Sequence, residues 1–467
     1  MQLMIILDGT IVTVALPTIQ EDLNFSSSGL AWVVNSYLIA FAGLLLLSGK
    51  LGDLIGSKKV FIAGLVTFTA ASVLAAVAVN PLMLILGRFA QGIGGALASA
   101  VILGMIIRLY PKPGEQAKVM GIYSFVSAGG GAIGLIAGGV ITETIGWTGA
   151  FWVNVPIGII ALVLAVRGLP NESGIGLHKG ADVLGAVLVT VGLSLGIYTI
   201  VQLAEPETTT GQSLGYGATA AVLLIAFLIR QAKSANPLLP LRIFRSRQVS
   251  AANIVVIMIF AAGFGFQFLN ALYLQKVLGF DSLRTGLAFL PAPVTLGAIS
   301  LFLASKLNIR FGAHKVLLVG LFGLGAGLAL LSRAPENGNY FIDVMPTLFI
   351  MGAGMGLALP AAIMMAMSGA QPADQGLASG LNNTAQQAGG AVGLAVLATT
   401  AATYTASQQD AGAAAVTALR DGYSVAFLIA AGFAFVGFLV AAFALRPAET
   451  PTHKVQETEA LLAPSHM

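Results

Sequence analysis

Long apolar runs separated by short polar breaks recur along the whole chain. They lie near 2–18, 29–48, 60–79, 81–106, 119–142, 148–167, 182–203 and 214–230, then near 250–275, 285–305, 316–333, 340–367, 378–402 and 422–445. A helix rises about 1.5 Å per residue, so about 20 apolar residues cross a ~30 Å hydrocarbon core. The pattern therefore predicts fourteen transmembrane helices. It lacks the ten-residue alternation of a membrane β-barrel.

Composition agrees with this reading. Of 467 residues, 57% are apolar and 9% charged, against about 25% charged in soluble domains. The 57 glycines would weaken soluble helices but let membrane helices approach closely. With no cysteine, disulfides, thiolate metal sites and cysteine nucleophiles are excluded. The first run has neither a basic start nor a small-residue cleavage site, so it reads as the first membrane helix rather than a cleaved signal.

The net charge of +4 does not point to nucleic acid, because the basic residues are scattered among short loops. It reports topology instead. With the N-terminus placed inside, the cytoplasmic loops and C-terminal end hold Lys50, Lys58, Lys59, Arg108, Lys112, Lys118, Arg167, Lys179, Arg230, Lys233, Arg242, Arg245, Arg247, Lys306, Arg310, Lys315, Arg446 and Lys454, eighteen of the 23 Lys and Arg. Lys276, Arg284, Arg333 and Arg420 fall outside. This bias places both termini in the cytoplasm.

The chain also repeats itself. "GKLGDLIGSKKV" between helices 2 and 3 echoes "SKLNIRFGAHKV" between helices 10 and 11, and "GIYSFVSAGGGAIG" in helix 5 echoes "GLNNTAQQAGGAVG" in helix 13. Two related six-helix halves follow, with helices 7 and 8 inserted between them. Parallel repeats of this kind build two bundles that rock around a central substrate path. The domain plan is a first bundle at 1–168, two inserted helices at 169–231, a cytoplasmic linker at 232–249, a second bundle at 250–446 and a flexible tail at 447–467.

Against this apolar background Asp8 stands out. It lies nine residues before Pro17, taken as near the outer end of helix 1, hence roughly 14 Å deep. A carboxylate there is costly and must face a cavity or a partner, so it suits the uptake and release of a proton. The plainer alternative is a structural bond to a neighbouring helix, through Thr10 or Thr13. Arg88, the only basic residue inside a helix, lies at similar depth, and the two could pair as a coupling site or as a permanent ion pair.

In the loop "GKLGDLIGSKK", Gly49 and Gly56 allow a tight turn, while Asp53, Lys58 and Lys59 can bond helix ends or the opposing bundle as a latch. The small residues of "SAGGGAIGLIAGGV" suit close helix packing. Candidate cavity residues are Asn35, Gln91, Gln267, Asn270, Asn383 and Gln387, with the aromatic Tyr123, Phe264 and Phe266. Glu143 and Asp182 read as interfacial. The histidines, His178, His314, His453 and His466, have no zinc-like spacing, and no phosphate-binding loop is present. The sequence therefore offers no catalytic or metal site and implies no cofactor.

These motifs together resemble the fourteen-helix drug:proton antiporters of the major facilitator superfamily, over essentially the whole chain. "LDGTIVTVALP" is similar to that branch's helix 1 signature, "GKLGDLIGSKK" to the loop signature, "RFAQGIGGA" to the helix 4 motif and "GAIGLIAGG" to the antiporter motif. "WTGAFWVNVPIG" and "GLASGLNNTAQQAGGAVG" match further family patterns. The resemblance implies an all-α major facilitator fold of two six-helix bundles plus two additional helices. It implies Asp8 as protonation site, Arg88 as its partner, Asp53 as latch, and Gly130, Gly134, Gly138 and Gly139 as the antiporter motif. The expected activity is export of small amphiphilic, often cationic compounds in exchange for protons, by a monomer surrounded by lipid in a bacterial-type inner membrane. A transporter of one metabolite, or a receptor or scaffold on the same fold, is the alternative; nucleic-acid binding and enzymatic turnover are not expected. Three positions depart from the family pattern: Leu54 and Ser57 replace the usual arginines, Leu135 replaces a proline whose kink it would remove, and Thr148 replaces an arginine.

Overall fold

The computed structural model describes residues 1–110, 112–171, 174, 176, 180–203, 210–234, 236–368 and 375–445. The expected tail at 447–467, with His453, Lys454 and His466, lies outside the described residues, as do His178, Lys179 and Arg446.

The described chain is helical throughout. The first part comprises α1 (Gln2–Leu23), α2 (Trp32–Ile55), α3 (Ser57–Ala76), α4 (Pro81–Leu109), α5 (Pro113–Ile145), the short α6 (Gly149–Trp152) and α7 (Asn154–Gly168). Next come α8 (Val183–Gln202) and α9 (Thr210–Lys233), then α10 (Arg247–Leu272), α11 (Ser282–Phe289), α12 (Pro291–Ile299) and α13 (Ser305–Phe311). The last are α14 (Ala313–Leu331), α15 (Met345–Ser368), α16 (Gln375–Asp410) and α17 (Ala415–Ala444). Turns of π-helix at Tyr273–Val277, Ser300–Ala304 and Tyr340–Val344 extend or join α10, α12 and α15.

Among the described residues, 12 helical stretches are long and apolar enough to cross a membrane, not the expected fourteen. Among the described residues α5 contributes the apolar stretch Gly129–Ile145. α16 spreads Asn382, Asn383, Gln386 and Gln387 over two turns, which lowers its apolar character. The first helix also runs past its expected end near residue 18 to Leu23, with Pro17 inside it. Beside that proline the Val14 carbonyl accepts an additional hydrogen bond, from Gln275 Nε2 at 2.9 Å.

The internal repeat recurs in three dimensions. Gly56 ends α2 with φ 100°, and Gly312 ends α13 with φ 83°; each amide closes the preceding turn, onto Gly52 O and Asn308 O, both at 3.0 Å. Only glycine adopts such angles readily. Beyond these turns α3 crosses α4 where Gly64 meets Gly94, and α14 crosses α15 where Gly320 meets Gly354. In each pair, a Cβ on either glycine would stand 2.7 Å from the carbonyl oxygen of the other. In lipid, where burial supplies little drive between helices, such backbone contact is a main source of association.

α8 and α9 pack on one another, and α8 rests on α2 and α16. Asp182, expected at the interface, is buried at the start of α8. It accepts hydrogen bonds from Gly185 N at 2.9 Å, Arg230 Nε at 2.5 Å and Gln231 Nε2 at 2.8 Å. Burial pushes this carboxyl up, but the bonds from Arg230, Gly185 and Gln231 and the Arg230 charge outweigh it and hold it below the usual value. Gln231 Oε1 accepts from Leu239 N at 3.0 Å, which ties the segment between α9 and α10 to the same joint.

Candidate functional site

The site is built on α1. Asp8 is 0% and Arg88 1% exposed, and the two form an ion pair through Asp8 Oδ2 and Arg88 Nη1. Arg88 and Gln91 lie one turn apart on α4, so both reach the same face. The other carboxylate oxygen, Asp8 Oδ1, accepts from Gln91 Nε2 at 3.0 Å and from Asn154 Nδ2, at the start of α7, at 2.8 Å. Arg88 also donates through Nη1 to Gln91 Oε1 at 2.8 Å and through Nε to the Val33 carbonyl at 2.9 Å. Gln91 Nε2 donates further to Ser72 Oγ on α3 at 2.8 Å. The guanidinium stands 4.7 Å from the centre of the Tyr37 ring and 5.9 Å from that of Phe151.

Two helices besides α1, α4 and α7, thus bond the carboxylate directly, while α2 and α3 hold its partners Arg88 and Gln91. A buried charge is tolerated when it is paired and its remaining lone pairs are hydrogen-bonded, and Asp8 meets both conditions. Such a pair is also poised chemically: a proton on Asp8 would cancel the attraction and release Arg88. Thr10 and Thr13, the expected alternative partners, bond carbonyls of their own helix instead.

Arg88 joins this cluster to a cavity of about 290 Å³ between the two halves of the chain. Tyr123, Phe264, Gln267, Asn383 and Gln387 line it, as expected from sequence. Phe266 lines a second, apolar cavity. Three expectations differ. Gln91 belongs to the Asp8 cluster, and Asn35 and Asn270 are fully buried away from both cavities, with their amide groups unpartnered. Their outward-seeming polarity is a matter of helix interiors, which period alone does not resolve. The sequence reading also missed Ser72, Tyr37, Asn154 and Gln386; Asn154 lay inside the quoted "WTGAFWVNVPIG", and Gln386 beside Gln387.

The loop after α2 works locally. Lys58 Nζ donates to the Val166 and Leu169 carbonyls at the end of α7, at 2.9 and 2.6 Å. Asp53 and Lys59 are exposed, and among the described residues Asp53 has no ion-pair partner. Gly49 has open space beside it. Leu54 is buried, its carbonyl accepting from Gly176 N at 3.0 Å, and Ser57 pairs with Arg108.

The α5 glycines divide between two neighbours. Gly130, Gly134 and Gly138 face Leu3, Thr10 and Ile11 of α1, whereas Gly139 faces α11, where a Cβ would stand 2.7 Å from Leu283 Cα and 2.9 Å from Ser282 O. Gly286 of α11 in turn fits against the Leu135 carbonyl. Close by, Gln275 meets Val14, and Lys276 Nζ donates to Gln20 Oε1 at 2.5 Å. These contacts close one end of the cavity between α1, α5 and the second half. Helix α5 runs unbroken through Leu135, consistent with the missing proline.

Comparison with known proteins places this geometry. A family model described as Major Facilitator Superfamily matches residues 1–394. The chain is 34% identical over 439 residues to the puromycin resistance protein pur8 of Streptomyces alboniger, covering 92% of this chain and 86% of that one. It is 35% identical over 403 residues to the cephamycin export protein CmcT of Amycolatopsis lactamdurans (85% and 82% covered). It is 30% identical over 403 residues to a tetracenomycin C resistance and export protein of Streptomyces glaucescens (85% and 73%). Among solved structures, a POT family peptide transporter superposes with a TM-score of 0.66 at 15% identity, over 96% of this chain and 98% of that one. The nucleoside transporter NupG gives 0.62 at 12%, over 94% and 97%.

Proposed function

This chain belongs to the major facilitator superfamily, and on that premise we propose that it is a proton-coupled exporter of small amphiphilic molecules. It is a multi-pass membrane transporter rather than an enzyme, and relatives bear names of antibiotic export and resistance. The observation that carries the reading is the buried Asp8–Arg88 pair, whose arginine also lines the cavity between the halves.

Substrate entering beside Arg88 and a proton reaching Asp8 would act on the same ion pair, the proton neutralising Asp8 and freeing Arg88. Either event alters the packing of α1 against α4 and α7. Rocking of the first bundle (1–168) against the second (250–446) then exposes the cavity to alternate faces, with the contacts of Gly139, Gln275 and Lys276 as the outer closure. We further propose that α5 and α16 also cross the bilayer, completing fourteen crossings. Both termini are then cytoplasmic in a bacterial-type inner membrane, the inserted pair (169–231) and linker (232–249) join the bundles, and one copy suffices. The coupling ion is the proton, with no other cofactor.

The test is efflux of puromycin from proteoliposomes with and without an imposed proton gradient. Gradient-dependent efflux supports the reading. Equal efflux in both conditions, or none, contradicts it.

A further inference from the structure

Two cavities meet in the middle of the helix array. The first is the polar-walled cavity of about 290 Å³ beside Arg88; the second, about 390 Å³, is bounded by α1, α5, α10, α11, α12, α14 and α15. Ile6, Thr10, Phe264 and Gln267 belong to both walls. The first falls just short of the usual range for drug-sized ligands, about 300–1,000 Å³, and the second just enters it, whereas the two joined lie well inside.

Their chemistry differs sharply. The second cavity is lined by Phe266, Phe289, Leu296, Met351 and Met355, with Leu135 on the α5 side. Methionine and aromatic side chains of this kind adapt to varied ring systems. The first presents Gln267, Asn383, Gln386 and Gln387, whose amides both donate and accept hydrogen bonds. Tyr37 Oη and Gln387 Oε1 are buried without a partner, so hydrogen-bonding capacity stands unused there.

Among the described residues lining either cavity, Arg88 is the only charge, and Asp8 already meets it. Asp8 itself lines neither cavity. A cation brought from water into this chamber would lose its hydration and find no counter-ion, whereas an amide, carbonyl or hydroxyl would find partners. Building on the exporter reading, we infer that the two cavities form one site for an uncharged amphiphile lying across Phe264 and Gln267. Its hydrogen-bonding end sits among Asn383, Gln386 and Gln387, and its apolar rings sit between Phe289 and Met355. This departs from the cationic preference that the family resemblance implies. Leu135, in place of the motif proline, sets the width of the apolar end.

The test uses three coumarin probes of one ring system, ending in a carboxamide, a trimethylammonium group or a carboxylate. Their binding to the purified full chain is read by fluorescence without any gradient, so it does not depend on proton coupling. The carboxamide probe is expected to bind at least about tenfold tighter than the trimethylammonium probe. Met355→Trp, which fills the apolar end, should weaken the carboxamide probe about tenfold, and Gln387→Leu should weaken it without affecting a fully apolar coumarin. The ranking on the native protein requires no variant to fold. A trimethylammonium probe bound as tightly as the carboxamide, or no binding by any probe, overturns the inference. Transport of the trimethylammonium probe would leave the exporter reading standing while refuting this one.

Discussion

Lys58 and His314 occupy equivalent positions in the two halves of the chain and close the same joint. Lys58, on α3, donates to the Val166 and Leu169 carbonyls at the end of α7; His314 Nε2, on α14, lies 2.9 Å from the Ala441 carbonyl near the end of α17. Each polar head meets the negative end of the last helix of its half. Lys58→Ala and His314→Ala are each expected to lower stability by about 1 kcal/mol, read as thermal unfolding in detergent. The two losses should add, because the joints are far apart in the repeat.

The Asp8–Arg88 pair should behave differently. Removing either partner leaves the other charged and buried, which costs about 3–5 kcal/mol. Arg88→Ala and Asp8→Ala should therefore each destabilise strongly, while the double variant should lose much less than their sum. A double-mutant cycle on unfolding temperatures measures this. Strict additivity would mean the two groups are not coupled.

Asp182 carries a pH signature outside the membrane-spanning segments. Its folded carboxyl titrates below the ordinary value of 3.8, so the stability it contributes is fully present above that value and is lost as pH falls through the folded one. Asp182→Asn should cost about 1–3 kcal/mol at pH 7, a figure moderated by the partly exposed Arg230. The difference between native and variant should be constant from pH 7 to about 5 and should shrink in more acidic buffer.

Gly139 of α5 packs directly on the backbone of α11 at Ser282 and Leu283. Gly139→Leu should force these backbones apart at a cost of about 1–3 kcal/mol and shift the protein away from this closed end. Because the chain contains no native cysteine, a single Gln275→Cys can report that closure alone. Its labelling by a maleimide should be slow in the otherwise native protein and faster with Gly139→Leu.

Sequence patterning revealed the helices, the repeat and Asp8, because each rests on hydrophobicity or on a charge conspicuous in lipid. It could not give the direction in which a neutral polar side chain points. Gln91 therefore turned from a cavity residue into a support for Asp8, Asn35 and Asn270 turned inward, and Asn154 and Ser72 went unnoticed until α3 and α7 brought them to α1. The polar face of α16 makes that helix less apolar than its neighbours. Lys58 was legible as a loop charge but not as a cap on α7, since that contact joins residues more than a hundred positions apart.

The coupling role of Asp8 is most directly tested by proton release on substrate binding. The carboxamide coumarin, which does not titrate, is added to purified protein in weakly buffered detergent solution, and the pH change is followed with an indicator dye, for the native chain and for Asp8→Asn. The native protein should release protons as the probe binds, and Asp8→Asn, still binding the probe, should release none. Equal proton release by both would contradict Asp8 as the site where substrate and proton compete.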